Sequence, residues 1–299
     1  MLYNRGMQPA LSVSQNFLKS THLVRKLIKK ANIQAGDTVV DIGAGKGIIS
    51  AELANVVGTQ GKVIGMELDK TLFAQLEKQF SDQPQVEVVC ADVLAFEFGE
   101  IGRYKVLANI PFSITSPLLE KLLTPDTGPL TAHLILQQNV LIGRDKKGRQ
   151  TETFKSLLFA PFYDMTLTHT LSRSDFEPRP SVETALFGFT QRDTPLIKPS
   201  QFDLYKNFLA FVSRDRVGEG AWLKLFSKKQ LKRLSAETEL VLGRGLKSQS
   251  IEGIVAAFKL FSLSDKQKTV ADAMSKLRLE QQRRERINQK DGHRRANVA

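Results

Sequence analysis

The stretch that most limits what this chain can fold into is Val40-Asp41-Ile42-Gly43-Ala44-Gly45-Lys46-Gly47. An apolar β-type run over residues 38–42 stops at a glycine-rich turn, and a helical pattern begins at Ile48. Glycines at such a junction let the backbone turn through left-handed conformations and approach a nucleotide-like ligand closely. The spacing is G-x-G-x-G. No Ser or Thr follows Lys46, so it is not a phosphate-cradling loop, and it departs from the G-x-G-x-x-G dinucleotide fingerprint. On these residues alone a tight turn without a ligand stays open.

Downstream of the turn the chain has the rhythm of an α/β fold. Strand patterns at 62–67, 86–90, 104–108 and 132–137 alternate with helical ones at 48–56, 72–80 and 117–123. That alternation predicts a parallel sheet covered on both faces, and runs at 161–171 and 184–189 read as two closing antiparallel strands. An amphipathic helix over 21–32, with Ser20 as its N-cap, precedes them. Residues 1–190 are therefore expected to form one α/β domain. Pro195 and Pro199 mark a linker. Beyond it the periodicity is helical, which predicts a smaller all-helical domain over 191–276, expected to bind RNA. Residues 277–299 read as a basic tail, a fraying helix and then disorder.

Charge narrows the class of partner. Residues 1–36 carry six bases and no acid, residues 37–139 seven bases against thirteen acids, and residues 140–299 thirty against eighteen. Basic flanks around an acidic middle suggest a polyanion held by the flanks and a different, cationic ligand at the centre. Candidate polyanion contacts are Arg25, Lys26, Lys29 and Lys30, then Arg144, Lys146, Lys147 and Arg149, then Lys228, Lys229, Lys232 and Arg233. The single cysteine, Cys90, excludes an internal disulfide and a cysteine-based zinc site, and the four histidines show no metal-ligand spacing. No apolar run is long enough to span a bilayer, and the early charges do not suit an export signal. A cytoplasmic protein without metal or membrane is expected.

Three groups of residues carry chemistry. Glu67 ends the second strand, where a carboxylate can accept ribose hydroxyls beside the glycine turn. Asp92 follows the third strand, where it can accept from the exocyclic amine of an adenine. The fourth strand runs into Asn109-Ile110-Pro111-Phe112. This tetrapeptide resembles the (N/D/S)-(I/L/P)-P-(Y/F) signature of amino-group methyltransferases that use S-adenosylmethionine. An adenine N6 is a poor nucleophile because its lone pair is delocalised. The Asn109 side-chain oxygen and the Ile110 carbonyl can each accept one N6 hydrogen and favour a tetrahedral nitrogen. Pro111 stiffens the turn, and Phe112 can stack on the base.

The resemblance extends along most of the chain. Ser14-Gln15-Asn16-Phe17-Leu18 is similar to the opening segment of the rRNA adenine N6-methyltransferases. It implies that Gln15, Asn16 and Leu18 join Gly43, Gly45, Glu67, Asp92 and Asn109 around the cofactor. The segment Phe176-Glu177-Pro178-Arg179-Pro180-Ser181-Val182 resembles the family's F-x-P-x-P-x-V, which implies Phe176 as a second aromatic wall for a flipped adenine. The fold so implied is a Rossmann-like S-adenosylmethionine-dependent methyltransferase domain with a helical C-terminal domain.

Between the two main branches, the glycine turn and Asn-Ile-Pro-Phe resemble Erm-type enzymes of large-subunit (23S) rRNA, which confer macrolide resistance. Thr153-Phe154-Lys155-Ser156-Leu157 stands where KsgA-type enzymes of small-subunit (16S) rRNA carry G-R-L-S-V. The reading is therefore an Erm-like monomer acting on protein-free or pre-assembly 23S rRNA. The alternatives are a KsgA-like 16S enzyme and a non-catalytic nucleic-acid-binding relative. One departure is the absence of an acid after Gln137 until Asp145, where many family members have one sooner.

Overall fold

The computed structural model describes residues 16–145, 147–214, 219–280 and 282–283. Its strands are β1 (Phe17–Leu18), β2 (Thr38–Ile42), β3 (Lys62–Glu67), β4 (Val86–Cys90), β5 (Lys105–Asn109), β6 (Thr131–Gln137), β7 (Gly143–Arg144), β8 (Gln150–Thr151), β9 (Tyr163–Leu171), β10 (Phe176–Glu177) and β11 (Thr184–Gln191). Its α-helices are α1 (Thr21–Lys30), α2 (Ile48–Val57), α3 (Lys70–Gln79), α4 (Thr115–Leu122), α5 (Phe154–Phe159), α6 (Phe202–Val212), α7 (Gly220–Leu225), α8 (Lys228–Glu237) and α9 (Ile251–Ser262).

Seven strands form one sheet in the order β4-β3-β2-β5-β6-β11-β9. The first five in that order are parallel, and β11 runs antiparallel between β6 and β9. The strands predicted at 38–42, 62–67 and 86–90 appear with those bounds. Val39, Val40, Val63 and Val106 are wholly buried, as expected where helices cover both faces. The chain reverses its winding between β2 and β5. In open α/β sheets, ligands bind in the crevice at the carboxyl ends of the strands flanking such a switch.

Helix α1 forms where the periodicity placed it. The Ser20 side chain accepts from Leu23 N, while Val24, Leu27 and Ile28 face the core. Lys29 and Lys30 lie in its last turn, where the helix dipole favours positive charge. These apolar residues join α2 and the sheet in one cluster that includes Leu53, Val39, Leu107 and Leu186.

Two compact units result: one contains the described residues up to 140 together with 163–193, the other 141–162 together with those from 194 onward. A single break at 190 was expected. The segment 141–162 leaves the first unit because α5 buries Leu157, Leu158 and Phe159, and the Tyr205 hydroxyl on α6 donates to the Leu157 carbonyl at 2.8 Å. The second unit is helical as predicted, with the small β7–β8 hairpin added. Its core is aromatic: Phe208 stacks on Phe261 with centroids 5.2 Å apart, and Tyr205 meets Phe258 edge-on at 5.0 Å. Of the expected tail over 277–299, only 277–280 and 282–283 are described, as helix; the rest lies outside the described residues. No helix among the described residues is long and apolar enough to cross a membrane.

Candidate active site

The glycine turn sits at the switch point. Gly43, Gly45 and Gly47 have φ of 72°, 58° and 76°, the left-handed region that disfavours every side chain with a Cβ. Space restricts them further. A Cβ on Gly45 would lie 2.7 Å from Phe17 Cε1, and one on Gly47 would lie 2.8 Å from Leu76 Cδ2. The backbone N–H groups of Gly43 and Ala44 both donate to the Met66 carbonyl at 2.9 Å, which binds the turn to the end of β3. Lys46 Nζ lies 5.2 Å from the centroid of the Phe17 ring.

Glu67 is buried, and its carboxylate is already occupied by backbone donors. Oε2 accepts from Gly45 N at 2.8 Å, and Oε1 accepts from Leu68 N and Asp69 N at 2.9 Å each. A carboxylate has about four lone-pair sites. Three are used, so about one is left for a ribose hydroxyl, where the sequence suggested acceptance of both. Asp92 is exposed at the end of β4, and its Oδ1 accepts from Leu94 N at 2.9 Å. Glu67 and Asp92 line a cavity of about 290 Å³ with Gly43, Lys46, Asp69 and Pro111. That volume is at the lower end for a cofactor-sized ligand. Three carboxylates and one lysine line it, which suits a ligand that is cationic overall but carries one anionic group. The residues present therefore fit S-adenosylmethionine.

Sequence reasoning missed Asp41 and Ser50 beneath this turn. Asp41 is completely buried on β2, and Ser50 Oγ on α2 donates to its Oδ2 at 2.7 Å. Oδ1 has no hydrogen-bond partner among the described residues. Burial pushes the carboxyl up to about 7, the Ser50 hydrogen bond working against that rise and the Glu67 charge adding to it. The available signal was an acid inside a run that is otherwise apolar on both faces, Val39-Val40-Asp41-Ile42.

Asn109 is the last residue of β5. Its Nδ2 donates to the Asn16 backbone oxygen at 2.6 Å. A carbonyl can only accept, so the amide must present its nitrogen there, and Oδ1 is left as a free acceptor. The Asn16 side chain in turn donates to the Pro178 carbonyl at 2.7 Å. Asn16, Asn109, Ile110 and Phe112 line a slot of about 20 Å³ that adjoins the larger cavity through Gly43 and Pro111. This volume holds about one water. A base enters only if side chains around it part. Phe112 is partly exposed at this slot, whereas Ile110 is buried and its N–H donates to the Ile135 carbonyl at 3.4 Å.

Two expected site residues belong to the core instead. Phe176 is completely buried and packs in the same cluster as Val24, Leu27 and Leu171. It pairs with Leu18 across the short β1–β10 ladder, so neither face of its ring is open to an adenine. Leu18, expected near the cofactor, is 5% exposed in that cluster. Gln15 and Ser14 lie outside the described residues, as does Lys146. The basic groups sort by partner: Arg25 pairs with Glu52, Arg149 with Asp145 and Arg233 with Glu237, each at 2.7 Å. Among the described residues no cluster of His, Cys, Asp and Glu could hold a metal ion.

The family model for ribosomal RNA adenine dimethylase matches residues 8–262. The ribosomal RNA small subunit methyltransferase A of Moorella thermoacetica is 31% identical over 220 residues, covering 69% of this chain and 75% of that protein. A probable ribosomal RNA small subunit methyltransferase A of Methanococcus aeolicus is 32% identical over 204 residues, covering 68% and 73%. Among solved structures, the 23S rRNA methyltransferase ErmE superposes with a TM-score of 0.70 at 20% identity, covering 83% of this chain and all of that one. A dimethyladenosine transferase from Plasmodium falciparum superposes with a TM-score of 0.59 at 24% identity, covering 74% and 78%. These likenesses confirm the Rossmann-like methyltransferase fold with its helical C-terminal region. The chain belongs to the ribosomal RNA adenine dimethylase family, enzymes that methylate rRNA adenine with S-adenosylmethionine as methyl donor.

Proposed function

We propose that this enzyme dimethylates N6 of an unpaired adenine in small-subunit (16S) rRNA. The observation that carries the chemistry is the hydrogen bond from Asn109 Nδ2 to the Asn16 carbonyl. It holds Oδ1 as an acceptor for one N6 hydrogen, and the Ile110 carbonyl takes the other. Pro111 stiffens the turn and Phe112 stacks on the base. Bound S-adenosylmethionine supplies a methyl group on a sulfonium, already activated, so the protein need only position the amine. Gly43 allows close backbone approach, and Gly45 holds the Glu67 carboxylate through its N–H. Glu67 accepts one ribose hydroxyl with its remaining lone pair, and Asp92 takes the adenine amine of the cofactor. Lys46, the one cation lining the cavity among the described residues, would pair with the methionine carboxylate.

The choice of 16S rRNA is supported by the relatives at 31% and 32% identity, both named for the small subunit. The second reading is a 23S rRNA enzyme of the Erm type, acting as a cytoplasmic monomer and giving macrolide-lincosamide-streptogramin B resistance. It is favoured by Gly43-Ala44-Gly45-Lys46-Gly47, by Asn109-Ile110-Pro111-Phe112, and by Thr153–Leu157 in the place of G-R-L-S-V. Labelled S-adenosylmethionine offered with protein-free 16S rRNA, protein-free 23S rRNA and immature small subunits separates the two, with primer extension to locate the base. Label on immature small subunits or 16S rRNA alone supports the first reading. A stop on 23S rRNA transfers the enzyme to the second.

A further inference from the structure

Helix α8 carries charges that work against its own stability. Lys228 and Lys229 occupy its first turn, where the helix dipole is positive and acids are the favoured residues; that turn holds no acid. Lys228 and Lys232, and Lys229 and Arg233, are like-charge pairs four residues apart, an arrangement that destabilises a helix. All four side chains are exposed. Only Arg233 has an acidic partner among the described residues, Glu237 at the far end. Lys224, exposed on the neighbouring α7, adds to the same charge. The helix is held by other means. Ser227 and Gln230 form a reciprocal capping box, and Leu231 and Leu234 are buried. Helix α1 makes the contrast: it is equally basic, but Arg25 is anchored by Glu52, and Lys29 and Lys30 sit in the last turn where the dipole favours them.

We infer that the row Lys228, Lys229 and Lys232 is a docking face for the phosphate backbone of the rRNA substrate. A polyanion turns each of the unfavourable terms into a favourable one: it neutralises the like charges and lies against the positive end of the dipole. Local rules are broken in this way where binding compensates. The lysines make point-charge contacts, so they supply affinity and orientation and leave base recognition to the active site. This inference rests on the reading of rRNA as the substrate.

The test uses the full chain with protein-free transcripts of 16S and, separately, 23S rRNA, measuring dissociation constants across a salt series. K228Q/K232Q is compared with K78Q/R103Q, which removes the same charge from exposed positions in the first unit. The slope of log K against log salt should fall in magnitude by about 1.4 to 1.8 for K228Q/K232Q and stay unchanged for K78Q/R103Q. The melting temperature of K228Q/K232Q should equal or exceed that of the wild type, and K228R/K232R should keep the wild-type slope. An unchanged slope in K228Q/K232Q, an equal fall in K78Q/R103Q, or a lower melting temperature overturns the docking face. A wild type that binds neither transcript, nor immature small subunits offered in the same assay, removes the rRNA reading and this face with it.

Discussion

The amide nitrogen of Asn109 lies 2.6 Å from the backbone oxygen of Asn16, so the end of β5 and the residue that leads into β1 meet at the proposed methyl-transfer point. Residues 93 apart in sequence thus decide which way one side chain faces. Replacing Asn109 by Ala removes both the tie and the acceptor. Loss of one positioned hydrogen-bonding group costs about 100- to 1000-fold in turnover. Asn109→Ala should therefore lower kcat/KM by that factor, with the affinity for S-adenosylhomocysteine, read by calorimetry, changed less than about threefold. Full activity in this variant would remove Asn109 from the chemistry.

Lys46 offers a cleaner separation of binding from catalysis. Lys46→Gln should weaken S-adenosylhomocysteine about tenfold, a loss of about 1.4 kcal/mol. It should leave decarboxylated S-adenosylmethionine unaffected, since that analogue has no carboxylate for the lysine to meet. Equal losses for both ligands would place Lys46 in the packing around Phe17 instead.

Asp41 sets a pH dependence with a definite sign. Its folded value of about 7 lies above the ordinary 3.8, so the folded state holds a proton that the unfolded chain releases. Stability therefore falls as pH rises through that window and levels off above it. His133, lowered to about 4 chiefly by burial, acts in the opposite direction between its own value and 6.5. The difference between wild type and Asp41→Asn cancels the histidine. In urea titrations Asp41→Asn should gain on the wild type steadily from pH 4 to pH 7. A difference that is flat with pH would mean Asp41 is ionised at the lower end.

Phe176 tests the distinction between core and site. Truncation of a buried phenylalanine costs about 3–5 kcal/mol. Phe176→Ala should lower the urea midpoint accordingly, and Phe176→Leu should recover most of the stability together with full turnover. Normal stability with lost turnover in Phe176→Leu would return the ring to the adenine.

The legible parts of this fold were those written locally. Val63-Ile64-Gly65-Met66 and Leu134-Ile135-Leu136 are short apolar runs between turn residues, and each strand declares itself without reference to its neighbours. Glu67, Asp92 and Asn109 were visible for the same reason, as polar residues where such runs end. Phe176 was placed at the adenine by the resemblance of residues 176–182 to a family segment, and its burial follows only from the pairing of β1 with β10. The partner of α5 was equally hidden: nothing in Phe154–Phe159 says that Tyr205 will hold it to the second unit. The acid at Asp41 carried a signal, but its meaning depends on Ser50 folding back from α2.

Glu67 has a kinetic meaning beyond its contacts. By holding Gly45, Leu68 and Asp69 through their backbone N–H groups, it fixes the loop on both sides of the cofactor cavity when the chain folds. The entropy of ordering that loop is spent before any ligand arrives. In the proposed site, cofactor and spent product would then exchange across a loop already ordered, which leaves the tempo of successive methyl transfers to the RNA and to the side chains that must part around Phe112.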